Sequence, residues 1–214
     1  MKSKDFHTYV FRSGKFIGDF DNMYRYSEGI PWEQDIRCNQ WFSEVGMLML
    51  KEQAPYDSIL ELACGLGYVG TKLKTLAGES GSVDAFDISP LAIEKARRIH
   101  PGIHFYVDDI TQPSFTPRRS YNLVVLKDSF FYLLRDIPTL VRNINRCVGT
   151  GGYLYICQPF HALEQPFVGK DLVPNPDALV SYFHMFQPIY TATLRQHERV
   201  SDGPILHFLG MKME

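Results

Sequence analysis

A carboxylate, a glycine-rich turn and a second carboxylate follow one another between residues 61 and 87. Residues 65–70, which include Gly65 and Gly67, fit the pattern G-x-G-x-x-G. In this pattern the glycines let a strand turn tightly into a helix while its backbone approaches a ligand. Asp87 ends the next apolar run, where a carboxylate would bind ribose hydroxyls. The pattern predicts a ligand that contains a nucleoside.

The glycine turn by itself does not decide which ligand binds. A dinucleotide would place its pyrophosphate on the helix N-terminus, an adenosylmethionine would use Asp87 equally well, and the glycines could also only shape a turn. Glu61 lies inside the apolar run just before the turn, and a buried carboxylate is costly unless it is paired. A sulfonium ligand with an ammonium group compensates this charge, whereas an anionic pyrophosphate does not. Glu61 therefore favours S-adenosylmethionine over a nicotinamide dinucleotide.

Alternating short apolar runs and helical stretches must position these residues. The expected strands are residues 58–62, 82–86, 103–107, 122–126 and 153–157, followed by 189–198 and 205–212 with a turn at 201–204. The expected helices are residues 35–52, 67–77, 90–99, 137–147 and 177–183, with Ser89 as the N-cap of the third. This alternation predicts an α/β fold, a three-layer α/β/α Rossmann-like sandwich whose mostly parallel sheet ends in an antiparallel C-terminal hairpin.

The N-terminal part has a different composition. Residues 1–35 form an aromatic-rich arm or lid, and residues 36–214 form the domain that binds the ligand. In the first helix, apolar residues near helical spacing are expected to face the core: Ile36, Trp41, Val45, Leu48 and Met49. Tyr24 and Trp32 of the arm could cover a cationic cofactor with their aromatic faces, or could only pack against the domain.

Composition restricts the partners. The chain has 214 residues and a formal net charge of −2, which gives no long-range attraction to nucleic acid or to an acidic membrane. No apolar stretch has the length of a membrane helix. The four cysteines lack metal-ligand spacing, so no metal site is expected, and they favour a reducing, cytoplasmic location.

Five segments, in order, resemble the motifs of class I S-adenosylmethionine-dependent methyltransferases: residues 59–67, 85–89, 105–110, 121–128 and 148–154. The resemblance implies seven strands in the order 3-2-1-4-5-7-6, with S-adenosyl-L-methionine as cofactor and S-adenosyl-L-homocysteine as product. It implies that the first segment holds the methionine moiety, that Asp87 binds the ribose and Ile88 packs on adenine, and that Asp109 meets the adenine amino group. The cofactor-binding residues expected in total are Glu61, Ala63, Gly65, Gly67, Asp87, Ile88, Asp109, Ile110, Lys127, Tyr24 and Trp32.

Three residues are expected near the methyl acceptor. Asp128 follows the fourth strand, where its carboxylate serves either the acceptor or the cap of the next helical turn. Lys127 is expected to contribute its backbone and to expose its side chain. His161 lies just beyond the fifth strand, and Tyr132 lies in an aromatic segment that lines the acceptor pocket. The predicted catalytic residues are thus Asp128, His161 and Tyr132.

A narrower resemblance concerns the acceptor. Residues 21–24, 31–33, 130–133 and 173–177 are similar to segments of nodulation-type N-methyltransferases and related small-molecule enzymes. This implies a small-molecule acceptor with a reactive nitrogen or oxygen, and it favours an amino sugar or a similar metabolite. The expected partners are this acceptor and, in a homodimer, a second copy of the chain. The alternatives are an NAD-dependent oxidoreductase and a non-catalytic regulatory module that binds S-adenosylmethionine.

Overall fold

A seven-stranded sheet forms the centre of the protein. The computed structural model describes residues 3–13, 15–162, 167–195 and 202–213. A small hairpin of β1 (Phe11–Arg12) and β2 (Lys15–Phe16) precedes the sheet. The sheet contains, in chain order, β3 (Tyr56–Leu62), β4 (Ala77–Asp87), β5 (His104–Val107), β6 (Tyr121–Lys127), β7 (Val148–His161), β8 (Phe186–Leu194) and β9 (Asp202–Lys212).

The strand order is β5-β4-β3-β6-β7-β9-β8. Neighbouring strands from β5 to β7 pair in parallel, while β9 is antiparallel to both β7 and β8. Counted from the first strand of the sheet, this is 3-2-1-4-5-7-6. The predicted fold class is confirmed.

Helices cover both faces of the sheet. They are α1 (His7–Val10), α2 (Phe20–Tyr26), α3 (Gln34–Arg37), α4 (Trp41–Lys51), α5 (Tyr68–Lys74), α6 (Pro90–Ile99), α7 (Ile137–Cys147) and α8 (Pro176–Ser181). Three 3-10 turns occupy Pro31–Glu33, Phe130–Tyr132 and Leu134–Asp136. One hydrophobic core contains residues of α7 and α8, and a second contains residues of α4, α5 and α6. A third, smaller cluster contains residues of α1, α2 and α6. In the part of the chain that the structure describes, no helix is long and apolar enough to cross a membrane.

Local sequence signals set the ends of two helices. Ser89 accepts a hydrogen bond from the backbone N–H of Ala92 at 3.1 Å, as predicted for the N-cap of α6. Helix α7 has the predicted bounds, and Asp136 caps it by accepting from both the backbone N–H and the hydroxyl of Thr139. An N-cap carboxylate satisfies donors that the first helical turn leaves free, so these ends follow from neighbouring residues.

The single helix predicted for residues 35–52 is wrong. The chain forms α3 and α4 instead, separated by residues 38–40. The expected core face is wrong as well: Ile36, Trp41 and Leu48 are 55%, 45% and 65% exposed.

The buried face of α4 is set by close packing rather than by its largest apolar residues. Phe42, Gly46 and Leu50 lie four residues apart and are buried. A Cβ at Gly46 would lie 2.8 Å from Cζ of Tyr155 on β7. The helix can approach the sheet this closely only along its glycine, and this contact turns the other residues outward.

Several other boundaries differ from the prediction, and β4 and β7 extend beyond the predicted strands at both ends. The helix predicted for residues 67–77 ends at Lys74, because Ala77 already begins β4. The predicted turn at 201–204 is wrong from Asp202 onward, because β9 already begins at Asp202. There β9 pairs with the end of β7, where Asp202 lies opposite His161. Residues 196–198 of the predicted sixth strand lie outside the described residues.

Candidate functional site

The glycine turn joins β3 to α5 with three residues in the left-handed region. Ala63, Gly65 and Gly67 have φ values of 50°, 55° and 80°. A Cβ at Gly67 would lie 2.5 Å from Cζ of Phe105, and a Cβ at Gly65 would lie 2.6 Å from Oε1 of Gln34. The turn therefore requires glycine at both positions, for conformation and for space.

Glu61 is a buried carboxyl group with one oxygen unsatisfied. Its side chain lies inside β3, the residue is 3% exposed, and Oε2 has no hydrogen-bond partner among the described residues. Burial raises its pKa to about 8, against the opposing effects of the Lys127 ammonium and the backbone N–H of Gly70. A ligand ammonium group would supply the missing partner and favour the ionised form. The observed environment therefore fits the amino-acid part of S-adenosylmethionine.

Asp87 connects the end of β4 to the glycine turn. Its Oδ2 accepts from the backbone N–H of Gly65, and its Oδ1 accepts from that of Ser89, both at 2.9 Å. Burial raises the pKa of Asp87, and these two N–H groups oppose that shift. The next residue, Ile88, is 49% exposed and offers an apolar surface beside the carboxylate.

Asp109 lies in the loop after β5 and is held by its own neighbours. Its Oδ1 accepts from the backbone N–H of Thr111 at 2.9 Å and from the Thr111 hydroxyl at 2.6 Å. Its Oδ2 accepts from Nε2 of Gln112 at 2.7 Å. Although burial raises the pKa of Asp109, these hydrogen bonds more than offset it and the net shift is downward. The Ile110 side chain is buried in the core, so only its backbone is available to a ligand.

Asp128 follows β6 with a strained backbone and one free oxygen. Its φ is 57°, a region that side chains other than glycine rarely adopt. Oδ2 accepts from Nζ of Lys127 at 2.6 Å, and Arg37 lies 3.7 Å away, whereas the buried Oδ1 has no partner among the described residues. The alternative that Asp128 caps the next turn is wrong, because Ser129 is the N-cap residue and the backbone N–H of Phe130 donates to Oε1 of Gln158, not to Asp128.

Lys127 is buried, which corrects the expectation of an exposed side chain. The side chain is 8% exposed and its ammonium lies 5.3 Å from the ring of Phe42. Its charge is held in the interior by the neighbouring Asp128 carboxylate, since a buried ammonium needs such a partner.

The arm lies directly on the glycine turn. The hydroxyl of Tyr24, which is buried, accepts from Nε2 of Gln34 at 3.1 Å, and Oε1 of Gln34 accepts from the backbone N–H of Leu66 at 2.9 Å. Asp21 reaches α6, where it accepts from the hydroxyl of Ser89 at 2.5 Å and the backbone N–H of Leu91 at 3.2 Å. Gln34 and Asp21 were not among the predicted site residues, because no local pattern marks a side chain whose partner lies tens of residues away.

Tyr132 is packed under the aromatic arm. Its ring centroid lies 5.5 Å from that of Trp32 and 5.9 Å from that of Phe20. Burial raises the pKa of Tyr132 to about 12, while the Trp32 side chain, a hydrogen-bond donor, lowers it. The hydroxyl therefore stays protonated at neutral pH.

The structure brings most of the predicted residues together, with one exception. Glu61, Asp87, Asp109 and Asp128 follow the carboxyl ends of β3 to β6 or lie close to them, at the edge where open α/β sheets bind ligands. His161 is exposed, and its aromatic neighbour is Phe167, at 5.7 Å between ring centroids. No hydrogen bond in the described residues links His161 to the other predicted site residues, and its role stays a prediction.

Comparisons with known proteins agree with this fold. Residues 59–152 match the family described as "Methyltransferase domain". The chain is 28% identical over 152 residues to aklanonic acid methyltransferase DauC of Streptomyces sp. (strain C5), which covers 67% of this chain and 68% of that protein. It is 31% identical over 98 residues to malonyl-[acyl-carrier protein] O-methyltransferase of Bacillus anthracis, covering 45% of this chain and 35% of that protein.

The fold is similar to those of solved methyltransferases. N-methyltransferase NodS from Bradyrhizobium japonicum WM9, in complex with S-adenosyl-L-homocysteine, aligns with a TM-score of 0.65 at 17% identity and covers 87% of this chain and 94% of that chain. TehB from Haemophilus influenzae aligns with a TM-score of 0.61 at 17% identity, covering 84% of this chain and 66% of that chain.

The chain carries a methyltransferase domain at residues 59–152, and this domain, the related methyltransferases and the fold together support a class I S-adenosylmethionine-dependent methyltransferase. It is an enzyme, and S-adenosyl-L-methionine is its cofactor. The oxidoreductase and the non-catalytic module are therefore not retained.

Proposed function

We propose that this enzyme transfers a methyl group to a nitrogen or oxygen atom of a small molecule. The single observation that carries the proposal is Asp128, whose buried Oδ1 has no partner among the described residues although Oδ2 is paired with Lys127. An acceptor N–H or O–H is the group that would satisfy this oxygen. DauC and NodS support a small-molecule acceptor, since aklanonic acid methyltransferase is named for a small acid and NodS is an N-methyltransferase.

In this proposal the cofactor lies along the carboxyl ends of β3 to β6. Asp87 binds the ribose hydroxyls, Ile88 covers the adenine, Asp109 accepts from the adenine amino group and the Ile110 backbone lies beside it. The Glu61 carboxylate faces the ammonium group of the methionine part, which is bound by the turn of Ala63, Gly65 and Gly67 and by the backbone of Lys127. Tyr24 and Trp32 cover it from the arm.

Methyl transfer requires the protein mainly to orient the acceptor against the methyl group and to exclude water. The cofactor supplies an electrophilic methyl group on a positively charged sulfur. The acceptor lone pair forms the new bond to carbon as the sulfur–carbon bond breaks. The acceptor proton passes to Oδ1 of Asp128, and the buried Lys127 holds the other carboxylate oxygen in place. Because its pKa is raised to about 12, the Tyr132 hydroxyl stays protonated, so in this proposal Tyr132 lines the acceptor pocket and does not act as the base.

Backbone strain supports this location. Among the described residues, five that are not glycine have positive φ, and four of them are Trp32, Glu33, Ala63 and Asp128. Such conformations cost on the order of 1–3 kcal/mol each and cluster at functional sites. These residues lie on the glycine turn, on the arm that covers it and directly after β6. Their concentration there supports placing the functional site at this edge of the sheet.

The acceptor is tested with S-adenosyl-L-methionine carrying a labelled methyl group and separate panels of amines and amino sugars, alcohols and phenols, and carboxylic acids. We expect labelled product in one of these panels, with amino compounds tested first on the strength of the narrower resemblance. Label transferred only to a protein or a nucleic acid would contradict a small-molecule acceptor.

Location and assembly are part of the proposal. All four cysteines are buried free thiols, which supports a reducing, cytoplasmic setting. The proposal includes neither a nucleic acid nor a membrane as partner. A homodimer is compatible with it, and light scattering of the purified protein gives the oligomeric state directly.

A further inference from the structure

Helix α7 holds the loop that carries Asp109. Asn143 is fully buried, and its Nδ2 donates to the carbonyl oxygens of Ile110 and Gln112 at 2.7 and 2.8 Å. One turn further along the helix, Arg146 donates to the carbonyl oxygen of Phe115 at 3.1 Å. Three carbonyl groups of the loop are thus bound by two side chains of one helix.

The two carbonyls bound by Asn143 lie on either side of Thr111. Thr111 is the residue that donates to Oδ1 of Asp109 through both its backbone N–H and its hydroxyl. Gln112, whose carbonyl Asn143 binds, donates to Oδ2 of the same carboxylate. A loop released from Asn143 would therefore also release the Asp109 carboxylate.

The orientation of the Asn143 amide is dictated by the loop. Its Oδ1 is buried without a partner among the described residues, while its Nδ2 makes two hydrogen bonds. The reversed orientation would place the amide oxygen against two carbonyl oxygens, which repel it. A buried acceptor without a partner is unfavourable. Asn143 nevertheless keeps this orientation, because only in this orientation can its Nδ2 donate to both carbonyl oxygens of the loop.

We propose that Asn143 is a positioning residue for adenine recognition, which holds the loop so that the Asp109 carboxylate faces the adenine amino group. The inference rests on the proposed function, in which Asp109 meets the adenine. Asn143 touches no ligand and acts through Ile110, Thr111 and Gln112. Arg146 supports the same loop from the next turn of α7.

The test uses the full chain, Asn143→Leu and, as a matched control on the same helix, Thr139→Val. Thr139 bonds to Asp136 and has no hydrogen bond to the loop. The dissociation constants of S-adenosyl-L-homocysteine, adenosine and inosine are measured by calorimetry or by competition. Inosine carries a carbonyl where adenosine carries its amino group, so the Asp109 carboxylate should repel it.

We expect Asn143→Leu to lower the affinities for S-adenosyl-L-homocysteine and for adenosine by the same factor, roughly tenfold for two lost hydrogen bonds. The preference for adenosine over inosine should shrink with it. Thr139→Val should keep both affinities and the preference. An Asn143→Leu protein that folds and retains the wild-type preference would overturn the inference, even if its stability falls.

Arg146 provides a second variant if Asn143→Leu does not fold. Its side chain is exposed, so Arg146→Met should fold. Its affinity for S-adenosyl-L-homocysteine should fall about threefold for one lost hydrogen bond, and its preference for adenosine over inosine should be reduced. Arg146→Lys should restore both. An unchanged preference in Arg146→Met would then overturn the inference.

Asp109→Asn separates failure of the inference from failure of the proposed site. If this variant keeps the wild-type preference, the adenine assignment of Asp109 is wrong and the role of Asn143 falls with it. If Asp109→Asn loses the preference while Asn143→Leu and Arg146→Met keep it, the site stands and only the role of Asn143 is overturned.

Discussion

The carboxylates on the β4–β5 side of the site and those on the β3–β6 side have opposite surroundings. On the first side, both oxygens of Asp87 and both oxygens of Asp109 accept hydrogen bonds from the protein. On the second side, Glu61 and Asp128 each leave a buried oxygen without a partner among the described residues. A carboxylate whose oxygens accept hydrogen bonds from the protein is fixed before a ligand binds. A buried oxygen without a partner can instead gain its hydrogen bond from the ligand.

In the proposed site, this difference matches what each part of the cofactor requires. The adenosine part is recognised by geometry, and carboxylates that are already fixed serve this purpose. The methionine part and the acceptor bring an ammonium group and a proton, which the unsatisfied oxygens can accept. The following variants test whether the two sides really behave differently.

The largest effect is expected for Asp87→Ala. The change removes a proposed ribose contact and leaves the backbone N–H groups of Gly65 and Ser89 without their acceptor. Since hydrogen bonds to charged groups contribute on the order of 1.5–3 kcal/mol each, affinity for S-adenosyl-L-homocysteine should fall roughly a hundredfold or more, as measured by calorimetry. The control His161→Ala removes an exposed ring and should bind normally. Equal losses in the two variants would mean that the ribose is misplaced.

Asp128→Asn should separate turnover from cofactor binding. The amide keeps the shape of the side chain but accepts no proton, so the rate of methyl transfer should fall about a hundredfold, in the range that general bases contribute. Affinity for S-adenosyl-L-homocysteine should stay near the wild-type value. The matched variant Tyr132→Phe keeps the ring packing and should retain most of the rate. A parallel loss of cofactor affinity in Asp128→Asn would place this residue on the wrong part of the site.

Glu61→Gln should have the smallest effect, about a tenfold loss of affinity for S-adenosyl-L-homocysteine through one charged contact. Its signature is a proton. With a pKa raised to about 8, Glu61 is protonated at pH 7 in the cofactor-free enzyme and must ionise when an ammonium group binds. Calorimetry at pH 7 in buffers of different ionisation enthalpy should therefore show a released proton in the wild type that Glu61→Gln lacks. Identical proton release in both proteins would refute the pairing.

The same pKa gives a stability test without any ligand. The folded-state pKa of Glu61, about 8, lies above its ordinary value near 4.3, so between these pH values the folded protein binds the extra proton. The stability that Glu61 contributes is complete below the lower value and is lost as pH rises through about 8. The melting temperature of the wild type should thus fall relative to Glu61→Gln between pH 5 and 9.

Much of the fold and the order of the site residues could be predicted from the sequence. The strand and helix alternation, the Ser89 cap and the bounds of α7 depend on residues a few positions apart, and such signals are visible in the chain. The order Glu61, Asp87, Asp109 and Asp128 follows because parallel strands end at the same edge of the sheet. The position of α4 was not predictable, because the glycine that meets Tyr155 outweighs the larger apolar residues of that helix.

The sequence alone thus determined the class of fold, the cofactor and the chain order of the carboxylates that the parallel strands bring to one edge of the sheet. Only the tertiary structure decided how each carboxylate is satisfied. Asp109 is held through a loop that Asn143 binds, and Glu61 and Asp128 each keep an oxygen that no described residue pairs with. It also decided that Gln34 of the arm bonds the turn at Leu66. The physical reason is that a hydrogen bond between residues tens of positions apart depends on packing, and no local periodicity or spacing records it.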